Sequence, residues 1–358
     1  MAKKRVVVVE DSLTVRKRLV EVLATDPELQ VVGEAGDGKA AIELCQSLRP
    51  DVMTLDMMLP IMTGLAATEY IMAYCPTPIL IVSASNNRGE LFRTYEALSA
   101  GAVEVLEKPD GSEPEGVWEA KLIAAVKLVA KIKVITHPRA RLAAAPQVPT
   151  QIRAFNEAGA RGAVQCIAIG ASTGGPGALV SVLRALPANF PVPIILVMHI
   201  GALFANALAE WLDGQSPIRV NHAVHGEALP RFGEGRVVMA PPDRHLLVRE
   251  GRLILNDGPE LHSCRPSIDV LFASIARELG AHAVGCLLTG MGRDGADGLL
   301  AIRRAGGRTI AQDEATSVVF GMPREAALLG AAEQVLALEH VAPALLAFAR
   351  SGGQERRK

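Results

Sequence analysis

Two α/β domains in tandem are what this chain predicts: a (βα)5 unit, then a doubly wound, mostly parallel α/β domain with an antiparallel excursion. Three features carry that expectation. Unbroken β-branched runs alternate with stretches of helical apolar spacing from residue 5 to about 130. The alternation then dissolves into His137 to Pro146 and Val148-Pro-Thr150, rich in proline and alanine and without a buried period. It resumes from Ala163 to about Ala349. The limits expected are 1–133 for the first domain, 134–161 for a linker, 162–350 for the second domain and 351–358 for a tail.

In the first domain Arg5 to Val9 reads as a buried strand and Leu13 to Ala24 as the helix after it. Val31-Val32, Val52 to Leu55, Ile79 to Val82 and Val103 to Leu106 supply four more strands, and Val117 to Ile132 a closing helix. In the second domain three apolar strands end in reactive residues. Val164 to Ala171 delivers Ser172 into Thr-Gly-Gly-Pro-Gly177, Val192 to Met198 delivers His199, and Ala283 to Thr289 delivers Gly290-Met-Gly-Arg-Asp294-Gly295. Arg236 to Ala240, His245 to Val248 and Arg252 to Leu255 read as the antiparallel excursion, with Glu250-Gly251 turning between the last two.

With 358 residues, 49% of them hydrophobic and 21% charged, the chain can bury two cores and is not of a disordered class. A net charge of −1 leaves no global field for nucleic acid, and no nucleic-acid partner is expected. The five cysteines form no CxxC pair, which fits free thiols in a reducing cytoplasm. Neither a signal peptide nor a run of about 18 apolar residues is present, so a cytoplasmic protein without membrane insertion is expected, as a monomer.

Glu10 and Asp11 leave the first strand and Asp56 leaves the third. Carboxyl ends of parallel strands converge, and three carboxylates meeting there repel unless a cation binds; oxygen donors of this kind suit Mg²⁺. Ser83 ends the fourth strand and Lys108-Pro109 the fifth, a hydroxyl and an ammonium suited to the oxygens of a phosphoryl group on a neighbouring Asp. With Met58-Leu-Pro60 between them, these landmarks make residues 5 to about 130 resemble the receiver domain of response regulators, a flavodoxin-like (βα)5 fold. The resemblance implies that Asp56 is the phosphoacceptor and a sensor histidine kinase the phosphodonor. It also implies that Glu10, Asp11, Asp56 and the Met58 carbonyl hold Mg²⁺, and that Ser83 and Lys108 sense the phosphate. Val105 stands where the family often has Tyr or Phe, which removes an aromatic switch.

Ser, His and Asp at three strand exits are the parts of an activated serine nucleophile. Other readings of each residue exist. Ser172-Thr-Gly-Gly could cradle a phosphate at a helix start, but lacks the Lys of a P-loop. Gly170-Ala-Ser-Thr-Gly174 matches G-x-S-x-G by letters, yet the order Ser…His…Asp differs from that of α/β-hydrolases. His199 alone reads as a strand-end histidine, and Asp294 as a cap for a helix from Ala296. Cys264 reads as a small buried or rim thiol, and His222, His225, His245 and His262 as loop and surface residues without metal-ligand spacing, with His245 placed close to the cleft.

Ile169 to Gly175, Met198-His199, Val238 to His245, Arg265 to Phe272, Leu288 to Gly295 and Ala311 to Glu325 together resemble the catalytic domain of the chemotaxis protein-glutamate methylesterases. A receiver joined by a linker to such a domain is that family's architecture. The resemblance implies Ser172 as nucleophile, His199 as general base and acid, Asp294 as orienting carboxylate and the Met291 N–H as oxyanion donor. It implies methylated chemoreceptors as substrates, glutamine deamidation as a second activity, no cofactor in this domain, and a receiver that obstructs the cleft until Asp56 is phosphorylated. Met198 replaces a usual Gln, Ile200-Gly-Ala-Leu-Phe204 a Pro-containing turn, and Cys264 a usual His. Those departures keep a different class in view, a phosphorylation-switched binding module with a vestigial site.

Overall fold

The computed structural model describes residues 2–84, 87–109, 114, 116–132, 134 and 163–351. It falls into two compact units, Met1–Leu142 and Ala143–Lys358. Nearly all of the expected linker, and the tail beyond residue 351, lie outside the described residues.

The first unit alternates β1 (Lys4–Val9), α1 (Leu13–Ala24), β2 (Leu29–Ala35), α2 (Gly38–Leu48), β3 (Val52–Leu55), α3 (Gly64–Tyr74), β4 (Ile79–Ser83), α4 (Arg88–Ala100), β5 (Glu104–Glu107) and α5 (Val117–Val129). Four helices begin on a side-chain cap: Ser12, Asp37, Thr63 and Asn87 each accept an N–H from the first turn. The strands are parallel in the order β2-β1-β3-β4-β5. The order reverses between β1 and β3, where α/β sheets bind ligands, and that crevice receives Glu10 and Asp56.

The second unit begins with β6 (Cys166–Ala171), α6 (Gly175–Ala185), β7 (Ile194–Met198), α7 (Ala202–Gln215), β8 (Arg219–His222), β9 (Arg236–Met239), β10 (His245–Arg249) and β11 (Arg252–Asn256). It continues through α8 (Ile268–Leu279), β12 (Ala283–Leu287), α9 (Ala296–Arg304), β13 (Arg308–Gln312), α10 (Met322–Leu328), β14 (Gln334–Leu336) and α11 (Leu338–Ser351). Seven strands form a wholly parallel sheet in the order β14-β13-β12-β6-β7-β9-β8. The antiparallel excursion is smaller than expected. Among the described residues β10 and β11 are its paired strands, with an antiparallel bridge from Ala228 to Arg252, whereas Arg236–Met239 is a parallel strand beside β7. Short exposed-edge and buried runs read alike in sequence, so the difference lay in pairing partner alone.

The centre of this sheet is buried on both faces, with β6, β7 and β12 made of residues that are almost wholly enclosed. Gly170 shows how closely α8 packs there: a β-carbon on it would stand 2.4 Å from Ile268 Cγ2. Bringing Ile268 that near fixes the N-terminus of α8 beside the carboxyl ends of β6 and β12. Among the described residues no helix is long and apolar enough to cross a membrane.

Candidate active site

Ser172 follows β6 directly, and its backbone is pinned on both sides. Its N–H donates to the Thr289 carbonyl at 3.0 Å, and its own carbonyl accepts the Gly175 N–H at 2.6 Å. Gly174 takes the left-handed conformation (φ 78°) that the turn needs, and Pro176 opens α6. From β12 the Thr289-Gly290 segment crosses over Ser172. A β-carbon at Gly290 would lie 2.7 Å from Ser172 Cβ, so only glycine fits. The Thr289 hydroxyl donates to the Thr173 carbonyl at 2.9 Å, and the Thr289 N–H donates to Gln312 Oε1 at 2.8 Å. Gly290 spends its N–H on Val319, whereas the Met291 N–H has no acceptor among the described residues.

His199 continues the β6–β7 ladder, its N–H donating to the Ala171 carbonyl at 3.0 Å. Its Nε2 lies 2.9 Å from Asp294 Oδ2. Asp294 does not cap α9, whose N-cap is Gly295. It reaches instead to the start of α8, where Oδ2 accepts the Ile268 N–H at 2.7 Å, and Oδ1 accepts the Ser267 hydroxyl at 2.7 Å and the Asp269 N–H at 3.1 Å. A buried carboxylate at a helix N-terminus with two amide donors is a stable anion. Burial by itself would raise the Asp294 pKa, but the partnership with His199 and the α8 donors outweighs it and holds the pKa below the usual value.

That arrangement fixes the tautomer of the neutral imidazole. A carboxylate only accepts, so Nε2 must donate to Asp294, and Nδ1 carries the lone pair of the neutral ring. Nδ1 faces the Cys264 thiol, with Sγ at 3.7 Å. Burial disfavours the imidazolium, yet Asp294, with Cys264 adding to it, raises the His199 pKa to about 9. No hydrogen bond joins the Ser172 hydroxyl to His199 in this structure among the described residues; such bonds often tighten only around a substrate.

Cys264 is half-buried, as a rim thiol would be, and the Leu261–Cys264 turn sets its Sγ 3.7 Å from His199 Nδ1. His245 is buried rather than superficial: Nδ1 accepts the Ser267 N–H at 3.1 Å and Nε2 pairs with the Pro259 carbonyl, so it braces the start of α8. His262 lies 3.2 Å from buried Asp269 Oδ2. Met198, the residue before His199, packs its sulfur against Gly175 at the start of α6. Ser267, His245, Thr289 and Gln312 hold the site together, and in the sequence each stands inside a motif that carries the family resemblance.

In the first unit Glu10 and Asp56 are buried and Asp11 is exposed, and the three each offer an oxygen within 4.8 Å of one another. Lys108 Nζ lies 2.7 Å from Glu10 Oε2 and 2.9 Å from Asp56 Oδ2. Burial works against the charge on Lys108, but these two ion pairs outweigh it and raise its pKa. Burial likewise raises the pKa of Glu10. The Ser83 hydroxyl is buried without a hydrogen-bond partner among the described residues. The Met58 N–H donates to Asp56 Oδ1 at 3.4 Å. Val105 sits half-buried on β5. Three carboxylates converging on one crevice, with a single ammonium to offset them, form a donor set that fits Mg²⁺.

A receiver-type acidic crevice and a separate hydrolase-type site thus define a two-domain enzyme of the response-regulator class. Comparison with known proteins places it. Residues 167–345 match the family model of CheB methylesterase, and residues 6–114 match that of the response regulator receiver domain. A protein-glutamate methylesterase/protein-glutamine glutaminase of Anaeromyxobacter dehalogenans is 44% identical over 97% of both chains. One of Myxococcus xanthus is 43% identical over 98% of both. The solved catalytic domain of the Thermotoga maritima CheB methylesterase is 34% identical, with a TM-score of 0.49, covering 52% of this chain and 98% of that one. The chain belongs to the CheB methylesterase family, as a methylesterase hydrolase with a response-regulator receiver domain.

Proposed function

We propose that this protein hydrolyses glutamate methyl esters on the cytoplasmic helices of chemoreceptors, and deamidates glutamines there, in chemosensory adaptation. The observation that carries the mechanism is Asp294, seated on three α8 donors and holding His199 Nε2, with Ser172 on the adjacent strand end beneath Gly290. Ser172 Oγ attacks the ester carbonyl while His199 Nδ1 takes its proton. The oxyanion is received by the Met291 N–H. Collapse breaks the bond to methoxide, which leaves as methanol with the proton from His199. Water, deprotonated by the same nitrogen, then attacks the acyl-serine and frees the glutamate.

The base must be neutral to act, and a His199 pKa near 9 leaves it mostly protonated at pH 7. Initial rates of methanol release from methylated receptor membranes should therefore climb as pH rises from 7 towards 9. Cys264→Ala removes a group that raises this pKa, so the acid limb should move to lower pH. An unmoved limb would count against contact between thiol and base.

The receiver supplies control in this reading. Asp56 accepts a phosphoryl group from a sensor histidine kinase, Glu10, Asp11, Asp56 and the Met58 carbonyl hold Mg²⁺, and Ser83 and Lys108 take the phosphate oxygens. The cation supplies charge neutralisation at the acidic crevice. A small-molecule phosphodonor should raise methanol release by the parent protein and leave Asp56→Asn at its basal rate. Equal rates with and without phosphodonor in the parent would remove the switch from the account. A cytoplasmic monomer suits both the substrate and the free thiols.

A further inference from the structure

We propose that Cys264 and His199 form a binding site for a thiophilic divalent cation, Zn²⁺ in particular, and that occupancy switches the hydrolase off. Metal-binding histidines commonly donate their second ring N–H to a carboxylate, which fixes the tautomer and turns the other nitrogen to the metal. His199 is already in that state: Nε2 is held by Asp294 at 2.9 Å, and Asp294 is anchored by Ser267, Ile268 and Asp269. Nδ1 looks towards Cys264 Sγ across 3.7 Å. Bond lengths of ordinary zinc sites put a sulfur and a nitrogen about 3.6 Å apart along the edge of a tetrahedron. The two ligands therefore stand at zinc-binding separation without rearrangement.

The turn that presents Cys264 is itself restrained. Leu261 and Cys264 exchange backbone hydrogen bonds of 3.2 and 3.0 Å, His262 and Ser263 are left-handed, and the His262 imidazole is tied to Asp269. Zinc would bind with loss to solvent of the thiol proton and, from the protonated ring that prevails at pH 7, of the Nδ1 proton, leaving two coordination positions for water. It would cover the nitrogen that must accept the Ser172 proton. A thiolate–imidazole pair selects Zn²⁺ over Mg²⁺, so the oxygen-rich crevice of the receiver can hold its own cation without competition. The inhibitory half of the proposal rests on His199 acting as base; the binding half does not.

The test uses the full chain, stripped of metal and returned to buffer with Mg²⁺. Micromolar Zn²⁺ should lower methanol release at least about tenfold, and a chelator should restore it. Cys264→Ser should lose at least about tenfold in zinc affinity, so that its activity barely responds to the same Zn²⁺. His262→Ala, which breaks the neighbouring His262–Asp269–Asp297 cluster instead, should stay as sensitive as the parent. Co²⁺ should give a thiolate charge-transfer band in the parent and none in Cys264→Ser. Equal zinc sensitivity in Cys264→Ser and parent, or no cobalt–thiolate band, would overturn the site. A cobalt band with undiminished hydrolysis would keep the site and overturn inhibition, and with it the role of His199 as base.

Discussion

Ser172→Ala is expected to lower kcat for methanol release by on the order of 10⁵- to 10⁶-fold, the loss seen when a serine nucleophile is removed from a hydrolytic triad. The fold should not notice. What fixes this residue is its backbone, through Thr289 and Gly175, and the β-carbon that meets Gly290 is retained in alanine. Thermal stability should stay within about 0.5 kcal/mol of the parent, as for substitutions that touch no packed or paired group. The sharper measurement is the double variant Ser172→Ala/His199→Ala. Residues that act as one unit are strongly non-additive, so the double variant should be no slower than Ser172→Ala alone. A further large drop would mean that His199 serves catalysis apart from Ser172. A fluorophosphonate probe gives the same answer by another route: it should label the parent at Ser172, and failure to label a folded parent would return the binding-module reading.

Much of this arrangement was legible in the sequence because strand exits are local. A β-branched run that gives way to a small or glycine residue tells where a parallel strand stops, and the residues just beyond it land on the carboxyl edge. Glu10, Asp56, Ser172 and His199 all came from that logic, and the structure puts each at its strand end. What the sequence did not reveal depends on long-range pairing. Arg236–Met239 has the length and apolarity of a hairpin strand, and only its register against Ile194–Leu196 makes it parallel. Cys264 lies on a turn far in sequence from His199, and nothing local says that the turn folds onto the imidazole. For Asp294 the sequence offers the orienting carboxylate by resemblance, and for the residue taken alone a cap on the helix from Ala296. Its neighbours suggested α9, while its hydrogen bonds go to α8.

That choice of helix gives the second large effect. Asp294→Asn is expected to reduce kcat by on the order of 10⁴-fold, as when the orienting carboxylate of a Ser-His-Asp triad becomes an amide. The carboxylate accepts from four donors, two on each oxygen: Ser267 and Asp269 on Oδ1, Ile268 and His199 on Oδ2. An asparagine has one accepting oxygen and one donating nitrogen. With its nitrogen on the Oδ2 side it opposes the Ile268 N–H, and His199 can pair with it only by accepting at Nε2. The ring proton must then move to Nδ1, the nitrogen proposed to take the Ser172 proton, and on that proposal the base is lost. With the amide turned over, His199 keeps its tautomer but the Ser267 hydroxyl must turn and the Asp269 N–H faces an NH₂ group. That orientation leaves a buried amide donor unmet, at about 1–3 kcal/mol. The first orientation also strands an amide donor, so the variant should lose stability either way, and the rate shows which is adopted. Nitrogen NMR of the His199 ring distinguishes them directly: an Nδ1–H tautomer with the rate collapsed supports Asp294 as the residue that fixes the base. Ser267→Ala removes one of the four donors without reversing any, and should cost far less than Asp294→Asn. If the two losses were equal, the role of Asp294 would be structural, and the tautomer argument would fail.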